Sequence, residues 1–541
     1  MTLRPQLAIA ALAASLLLTS CAAGTAATTD SDGTPKEGGE LVVAVGPWEP
    51  ACLDPLVNSM AGVITSRPYS DSLFWQNEDG EFEPWLATGY EVNDDGTVYT
   101  LGIREGVTFH DGAALNAEAV KANFDYMVDP ATKSQLAGAY LKPYDHSVVV
   151  DEYTLEVHLK QPYSAFINIL AQSYFALLSP VQITEAPETT CEAPIGSGPF
   201  KVTKWTRGQS IEYARNDDYN WGPPGSHEGA AYLEKLKLLL VPEDQVRYNA
   251  LLAGEVDAIV PTPAENVAAI EASADFEYQY LVRPGTAYSL HLNNSRAPFD
   301  DARVRQALAA SFDREEVVSA ISFGVLDVSD FLTDSTPDFA PDLTKQITHD
   351  TDLANDLLDD AGWTERDSDG YRIKNGERLR AVAPIVGERA SEKRAVELVQ
   401  AEAKKVGIEI AIDLVDATTF TNRHWAGDYD IYSGLWSSNT ADMLWLRWSS
   451  ANISTPEVLG QNAAKFSDPT FDALVEDARR STDDTERNEL YREAQERLTE
   501  LVPSIPLYAA RVDTSYPNYV KGVHYDRAYI QPVWFDVWLD R

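Results

Sequence analysis

Apolar and polar positions along this chain follow the repeat of a strand in some segments and that of a helix in others. Residues 41–45 form a short apolar run, which is typical of a buried strand. Strands are also predicted at residues 97–103 and 154–159, the second of which alternates apolar and polar side chains. One more strand with a single buried face is predicted where every second residue is aliphatic, at Ile408, Ile410, Ile412 and Leu414.

Helices are predicted between these strands, and each begins at a residue whose side chain can cap it. Asn116 precedes apolar positions at helical spacing, and Asp300 precedes another such set. Asp468 followed by Pro469 is a favourable pair for an N-cap and the first helical position. Because helices and strands alternate along the chain, the predicted fold class is α/β.

The first apolar stretch, residues 7–18, follows a single positive charge at Arg4 and is too short for an ordinary spanning helix. It ends in Leu-Thr-Ser before Cys21, which resembles a bacterial lipobox. We therefore expect residues 1–20 to be a lipoprotein signal peptide and Cys21 to carry the lipid. An ordinary signal peptide with a free Cys21 is the alternative. Residues 21–39 are small and polar, as in a flexible tether.

Composition limits the partners of the exported chain. The full chain has 541 residues, and about 520 remain once the signal is removed, more than one hydrophobic core usually serves, so two or three lobes are expected. The formal net charge of −41 argues against a nucleic-acid partner, because phosphate would be repelled. We expect a monomer, held at the outer face of the cell membrane by its lipid and facing the periplasm or the exterior.

Two further cysteines, Cys52 and Cys191, remain after the lipid site. An exported protein can join them in a disulfide, and two buried thiols are the alternative.

Catalytic and metal-binding motifs are missing from the sequence. It holds no GxSxG, HExxH or GxxxxGK[ST] pattern. Residues 367–370 (DSDG) begin like a calcium loop, but Arg378 stands where that loop needs a glutamate, so a hairpin turn is predicted. We expect no enzyme, no cofactor and no metal; a secreted hydrolase with paired carboxylates is the alternative.

Several motifs in consistent order resemble the family 5 extracellular solute-binding proteins of ABC importers, of the oligopeptide- and dipeptide-binding type. No single motif is decisive, but their joint order over about residues 40–510 is specific. They are residues 82–87 (FEPWLA), 104–112 (REGVTFHDG), 195–200 (IGSGPF), 252–257 (LAGEVD) and 298–308 (PFDDARVRQAL).

The resemblance implies two hinged lobes that enclose a ligand, like other periplasmic binding proteins. The first lobe would be residues 40–285, with an inserted subdomain at about 71–190. The second would be residues 286–508, and residues 509–541 would return to the first lobe. The resemblance also implies delivery of the solute to a membrane permease with a separate ATPase.

Aromatic residues near the expected cleft are candidates for its walls. Trp48 and Glu49 follow the first strand, and Tyr288 follows the expected crossing between lobes. Trp436 follows a buried strand predicted at residues 429–434, and Arg423 precedes that strand. Each aromatic residue could pack in the core instead, and Arg423 could form a surface ion pair or hold a ligand carboxylate.

One position departs from the peptide-binding members. There, an aspartate three residues past the tryptophan typically binds the free amine of the peptide. Here that position is Asn439, and Asp442 lies three residues further on. The predicted cargo is a peptide or a peptide-like solute. A sugar, an opine or a metal chelate is the alternative, as is a surface receptor without a transport role.

Overall fold

The computed structural model describes residues 33–541 except 48, 58–64, 135, 344–345, 388, 456–459 and 529. The predicted signal peptide, the predicted lipid site at Cys21 and the candidate Trp48 therefore lie outside the described residues. Lys36–Arg541 forms one unit. Within the described residues, no helix has both the length and the apolar character needed to cross a membrane.

The apolar strand predicted at residues 41–45 is the central strand of a seven-stranded sheet. It is hydrogen-bonded to a parallel strand on each side, and its Leu41, Val43 and Ala44 are fully buried, as expected for a parallel strand covered on both faces. We call this sheet, with the region inserted into it, the first lobe. Its order is β12 (Phe276–Val282), β21 (Arg511–Pro517), β11 (Ala258–Val260), β1 (Glu40–Val45), β10 (Lys235–Leu240), β9 (Ser210–Arg215) and β8 (Phe200–Thr206).

An antiparallel sheet lies in the stretch between β1 and β8. We call residues 71–190 the inserted region. Its sheet has the order β4 (Ala87–Val92), β5 (Val98–Ile103), β7 (Thr154–Leu159) and β6 (Tyr144–Asp151), and β2 (Phe74–Gln76) pairs with β3 (Phe82–Pro84). Its helices are α1 (Ala117–Val128), α2 (Leu136–Tyr140), α3 (Phe166–Leu170) and α4 (Pro180–Glu185). Asn116 caps α1, as predicted, by accepting the Ala119 N–H.

Residues 286–508 build a separate set of sheets, which we call the second lobe. These are β19 (Ile431–Gly434)–β13 (Tyr288–Leu292)–β20 (Ser504–Tyr508), the parallel pair β17 (Arg380–Val386)–β18 (Glu409–Val415), and β14 (Glu365–Arg366)–β15 (Arg372–Lys374)–β16 (Glu377–Arg378). The turn between β14 and β15 holds Asp367 and Gly370, so the hairpin prediction is confirmed.

The remaining helices and short strands complete the two lobes. The helices are α5 (Asp244–Leu252), α6 (Val267–Glu271), α7 (Ala302–Ala310), α8 (Arg314–Ser322), α9 (Thr351–Asp360), α10 (Ala390–Val406), α11 (Ala417–Ala426), α12 (Met443–Trp448), α13 (Pro469–Arg480) and α14 (Asp484–Leu501). Single 3₁₀ turns occur at Ser173–Phe175, Pro187–Thr189, Ala264–Asn266 and Ser450–Asn452. After β21 come the pairs β22 (Val520–Lys521)–β25 (Trp538–Leu539) and β23 (His524–Asp526)–β24 (Gln531–Val533).

Three local predictions need correction. The cap of α7 is Asp301, which accepts the Arg303 N–H, because the helix starts one residue later than Asp300 would allow. The strand predicted at residues 429–434 begins only at Ile431. The aliphatic face of β18 is not buried throughout, since Leu414 at its end is 55% exposed.

Two chain crossings connect the lobes, and they are hydrogen-bonded to each other. The Arg283 N–H of the first crossing donates to the Ala510 carbonyl of the second at 2.8 Å. Gly285 has φ +121°, and a Cβ added there would lie 2.2 Å from the Trp436 carbonyl oxygen. Only glycine fits such a close approach of two backbone segments at this φ. The first crossing is therefore packed directly against residue 436.

The structure joins Cys52 to Cys191 in a disulfide across 139 residues. In the chain-entropy model, a cross-link over so long a loop stabilises the folded state by about 5 kcal/mol. We predict that replacing both cysteines by alanine lowers the free energy of unfolding of the exported domain by about this amount, and with it the urea midpoint. Adding a reductant should lower the midpoint of the wild type but leave that of the double variant unchanged. Equal midpoints for wild type and variant under oxidising conditions would contradict the prediction.

Candidate functional site

The chain leaving β19 runs from the second lobe to the inserted region of the first. We call residues 436–442 the site segment. The half-buried Trp436 is fixed by its backbone, whose N–H donates to the Thr286 Oγ1 at 2.9 Å, while its carbonyl accepts the Thr286 N–H at 2.8 Å. Its indole Nε1 lies 3.3 Å from the Tyr140 hydroxyl at the end of α2. Trp436 therefore touches a crossing on one side and the inserted region on the other.

Asn439 is fully buried and hydrogen-bonded on every side of its amide. Its Nδ2 donates to the Gln76 Oε1 at 3.2 Å and to the Asn168 carbonyl at 2.9 Å. Its Oδ1 accepts from the Gln172 Nε2, which also donates to the Ser438 Oγ at 3.0 Å. An asparagine suits this place because two of its partners are acceptors, which a carboxylate could not satisfy. Asn439, which the sequence predicts as a ligand residue, therefore forms hydrogen bonds between the second lobe and the inserted region of the first.

Asp442 is also buried and engaged by the protein. Its carboxylate lies 2.5 Å from the Arg479 Nε and accepts the Tyr163 hydroxyl at 3.0 Å. The Arg479 guanidinium lies 3.7 Å from the centre of the Trp445 ring, in cation–π geometry. Tyr163 belongs to the inserted region, and Arg479 lies in the last turn of α13 in the second lobe. Through these two contacts, Asp442 fixes the site segment against the inserted region and against α13.

Tyr288 is buried where β13 begins, and its ring stacks on that of Tyr508 at 4.9 Å. Both rings stand beside the crossings, because Tyr508 ends β20 just before the second one. Glu392, in the first turn of α10, is near enough to affect both phenols. Burial raises the pKa of Glu392, and the neighbouring Arg389 partly opposes that effect.

A cavity of about 210 Å³ lies between the lobes beside these rings. Residues of the first lobe on one side and of the second lobe on the other line it. The first lobe supplies Thr262, Ala264, Val267, Tyr278, Ala510, Arg511 and Asp513, and the second supplies Ile321, Ser322, Val325, Leu326, Ser391 and Tyr508. Sequence reasoning missed Asp513 and Tyr508. A polar alternation at 511, 513 and 515 just after the second crossing is the signal that could have found Asp513.

A buried arginine in the second lobe is another residue that sequence reasoning missed. The Arg447 guanidinium lies 5.8 Å from the Trp436 ring centre, and its Nη2 lies 2.9 Å from the His291 Nε2. No carboxylate lies within ion-pair distance of it among the described residues. Burial lowers the pKa of Arg447 to about 10, so it remains charged at neutral pH. It gives the wall behind Trp436 a positive charge.

Two other predicted residues have contacts elsewhere. The Glu49 carboxylate accepts the Gly208 N–H at 2.6 Å on the exposed side of the first lobe. Arg423 pairs with Asp413 at 2.7 Å, which is the surface ion pair named above as one possibility. Among the described residues, no group of three His, Cys, Asp or Glu side chains could hold a metal ion.

Comparison with known proteins supports the resemblance. Residues 81–454 match the family model described as bacterial extracellular solute-binding proteins, family 5 Middle. The chain belongs to this family of solute-binding proteins. The family 5 match covers the inserted sheet, the first crossing and the site segment, and it ends shortly after α12. The fold class predicted from the sequence, a two-lobed α/β binding protein, is confirmed.

Three relatives show how widely this family 5 architecture is shared. The glutathione-binding protein GsiB of Escherichia coli K12 is 27% identical over 496 residues, 89% of this chain and 91% of that protein. The oligopeptide-binding protein AppA of Bacillus subtilis, solved with a nonapeptide, has a TM-score of 0.80 at 23% identity, covering 94% of this chain and all of that one. NikA of Brucella suis, solved with Fe(III)-EDTA, has a TM-score of 0.77 at 24% identity, covering 93% and 100%.

Asn439 gives a direct test of the site segment. We predict that Asn439→Asp lowers the melting temperature, because a carboxylate would face the Gln76 and Asn168 oxygens without a hydrogen to donate. Leaving such buried acceptors unpaired costs about 1–3 kcal/mol. The measurement is thermal unfolding followed by circular dichroism.

The matched control is Asn355→Asp. Asn355 donates to the Thr351 carbonyl at an exposed place, where water can replace it, and accepts hydrogen bonds from Arg366 and Arg372. A carboxylate there gains cationic partners and should not lower the melting temperature. If Asn439→Asp melted at or above the wild-type temperature, Asn439 would not depend on donating to these two oxygens.

Proposed function

We propose that this solute-binding protein captures a peptide or a peptide-like solute between its lobes and delivers it to a membrane permease driven by a separate ATPase. The observation that carries the proposal is the aromatic-bordered cavity between two lobes that two short crossings connect. Such a cleft can open to admit a solute and close around it. The closed arrangement then displays a surface that the permease can recognise.

The lobes of the proposal are those expected from the sequence. The first comprises residues 40–285 and 509–541, and the second comprises residues 286–508. Two features support this division: β21 lies between β12 and β11 in the sheet of the first lobe, and both crossings are short. We assign the protein no catalytic role and no cofactor, and we take it to act as a monomer.

The choice of a peptide-like cargo is supported by the charges around the cleft. Peptides carry an amine and a carboxylate. The buried guanidinium of Arg447 stands behind Trp436, and a buried carboxylate lines the cavity. Two of the relatives above bind glutathione or a nonapeptide by name. A non-peptide solute such as a metal chelate is the second candidate, favoured by Asn439, which brings no charge for a free amine, and by the Fe(III)-EDTA bound to NikA.

We predict that Trp436→Ala weakens binding of the captured solute at least tenfold, since the indole is the half-buried aromatic surface of the site segment. A thermal-shift screen of residues 38–541 against peptides of two to eight residues, sugars, opines and metal chelates would identify the solute. Calorimetry on the best ligand then compares the variant with the wild type.

The control is Trp363→Ala, which removes another half-buried indole of the second lobe, near Lys374. It should leave the affinity unchanged. Equal affinity of Trp436→Ala and wild type would remove Trp436 from the site. A shift only from sugars, opines or chelates would replace the peptide proposal by the second candidate.

The proposal includes a lipid on Cys21, supported by the apolar stretch and the small residues before it. We predict that cells expressing the protein incorporate an alkyne-labelled fatty acid into it, and that Cys21→Ser abolishes the label and releases the protein from membranes. Cys191→Ser should keep the label, because that cysteine lies in the folded domain. A labelled Cys21→Ser variant would contradict the assignment.

A further inference from the structure

Asp513 differs from several other buried acids of the first lobe in having no cation within ion-pair distance. Asp526 is 2.6 Å from the Arg67 Nε, and Asp257 is 2.8 Å from the Arg541 Nη1. The Asp513 carboxylate accepts the Thr262 N–H at 2.8 Å, and no cation lies within 4 Å of it among the described residues. A buried carboxylate is costly unless it is paired, so an absent partner calls for an explanation.

The cation nearest along its strand is engaged elsewhere. The Arg511 Nη2 donates to the Asp327 Oδ2 at 2.7 Å, and its guanidinium lies 4.1 Å from the centre of the Tyr280 ring. This ion pair crosses from the first lobe to the second beside the cavity. Arg511 therefore closes one side of the cavity. The Asp513 carboxylate has no ion-pair contact, although Arg247 and Arg511 are near enough to lower its pKa.

The lining around Asp513 suits an organic cation. Tyr278 and Tyr508 contribute aromatic rings, and Val267, Ile321 and Leu326 contribute apolar surface. Aromatic rings beside a carboxylate favour ammonium and guanidinium groups. Burial raises the pKa of Asp513 to about 6, and a bound cation would oppose that shift.

The size of the cavity limits what enters it. Its volume of about 210 Å³ is below the roughly 300–1,000 Å³ typical of pockets for whole small molecules. It holds one part of a larger solute. We propose that Asp513 receives a positively charged amine of the captured solute in this cavity, in place of the aspartate absent at position 439. This inference rests on the proposed capture between the lobes and specifies its chemistry.

The test uses matched ligands and one isosteric variant of the exported domain. The peptide probes are Ala-Lys-Ala and Ala-norleucine-Ala, each with a free and an acetylated amino terminus. The non-peptide probes are putrescine and its neutral counterpart 1,4-butanediol. Asp513→Asn keeps an oxygen for the Thr262 N–H, so the fold is retained. The control is Asp54→Asn, a fully buried acid outside the cavity lining that accepts from the Leu56 N–H and the Tyr126 hydroxyl.

The expected result is that at least one amine-bearing probe binds the wild type tenfold or more tightly than its neutral counterpart. Asp513→Asn should abolish this preference, and Asp54→Asn should keep it. The inference is overturned if the preference survives in Asp513→Asn, or if the wild type prefers no amine-bearing probe of either series.

The outcomes also separate the two proposals. If putrescine binds in an Asp513-dependent way and no peptide binds, the assignment of Asp513 stands and the peptide cargo is wrong. If acetylated and free peptides bind equally well, and the lysine and norleucine peptides do too, the peptide cargo stands and the assignment of Asp513 is wrong.

Discussion

The buried ion pair between Asp442 and Arg479 is the interaction on which the arrangement of the cleft depends. Both side chains are almost completely removed from water. The Tyr163 hydroxyl of the inserted region donates to Asp442, and the Glu476 carboxylate lies 3.4 Å from the Arg479 Nη1. Charges buried in this way are tolerated only when each has its partners in place. The pair therefore specifies where the site segment lies, and with it the positions of Trp436 and Asn439.

Polar contacts between the lobes are concentrated at the same place. The contact of Tyr163 with Asp442 is one of them. Asn439 is hydrogen-bonded to Gln172 and Asn168 of the inserted region. The Ser164 N–H donates to the Arg479 carbonyl at 2.9 Å. In an opened cleft these groups would exchange their partners for water, at a small net change in free energy for each. Closure therefore does not rest on polar contacts alone, and a solute that bridges the lobes can shift the balance toward the closed form.

Local features were predictable from the sequence, and contacts between distant segments were not. Asn116 and Asp468 cap their helices as predicted because a cap depends on three neighbouring residues. The α/β class and the family followed from motifs that persist along the chain. The hydrogen bonds of Asn439 could not be predicted, because its partners Gln172 and Gln76 lie far away in sequence. Asp513 was missed for the same reason: its buried state depends on Thr262 and on the second lobe.

The return of the chain to the first lobe has a mechanical consequence. Lys36 near the start of the folded domain pairs with Asp540 near its end at 2.6 Å, and Arg541 pairs with Asp257 of the same lobe. A fusion partner, a surface or an affinity tag attached at either end of the folded domain is therefore attached to the first lobe. In the proposed hinge motion, both ends stay with the first lobe, so a probe of that motion belongs within residues 286–508.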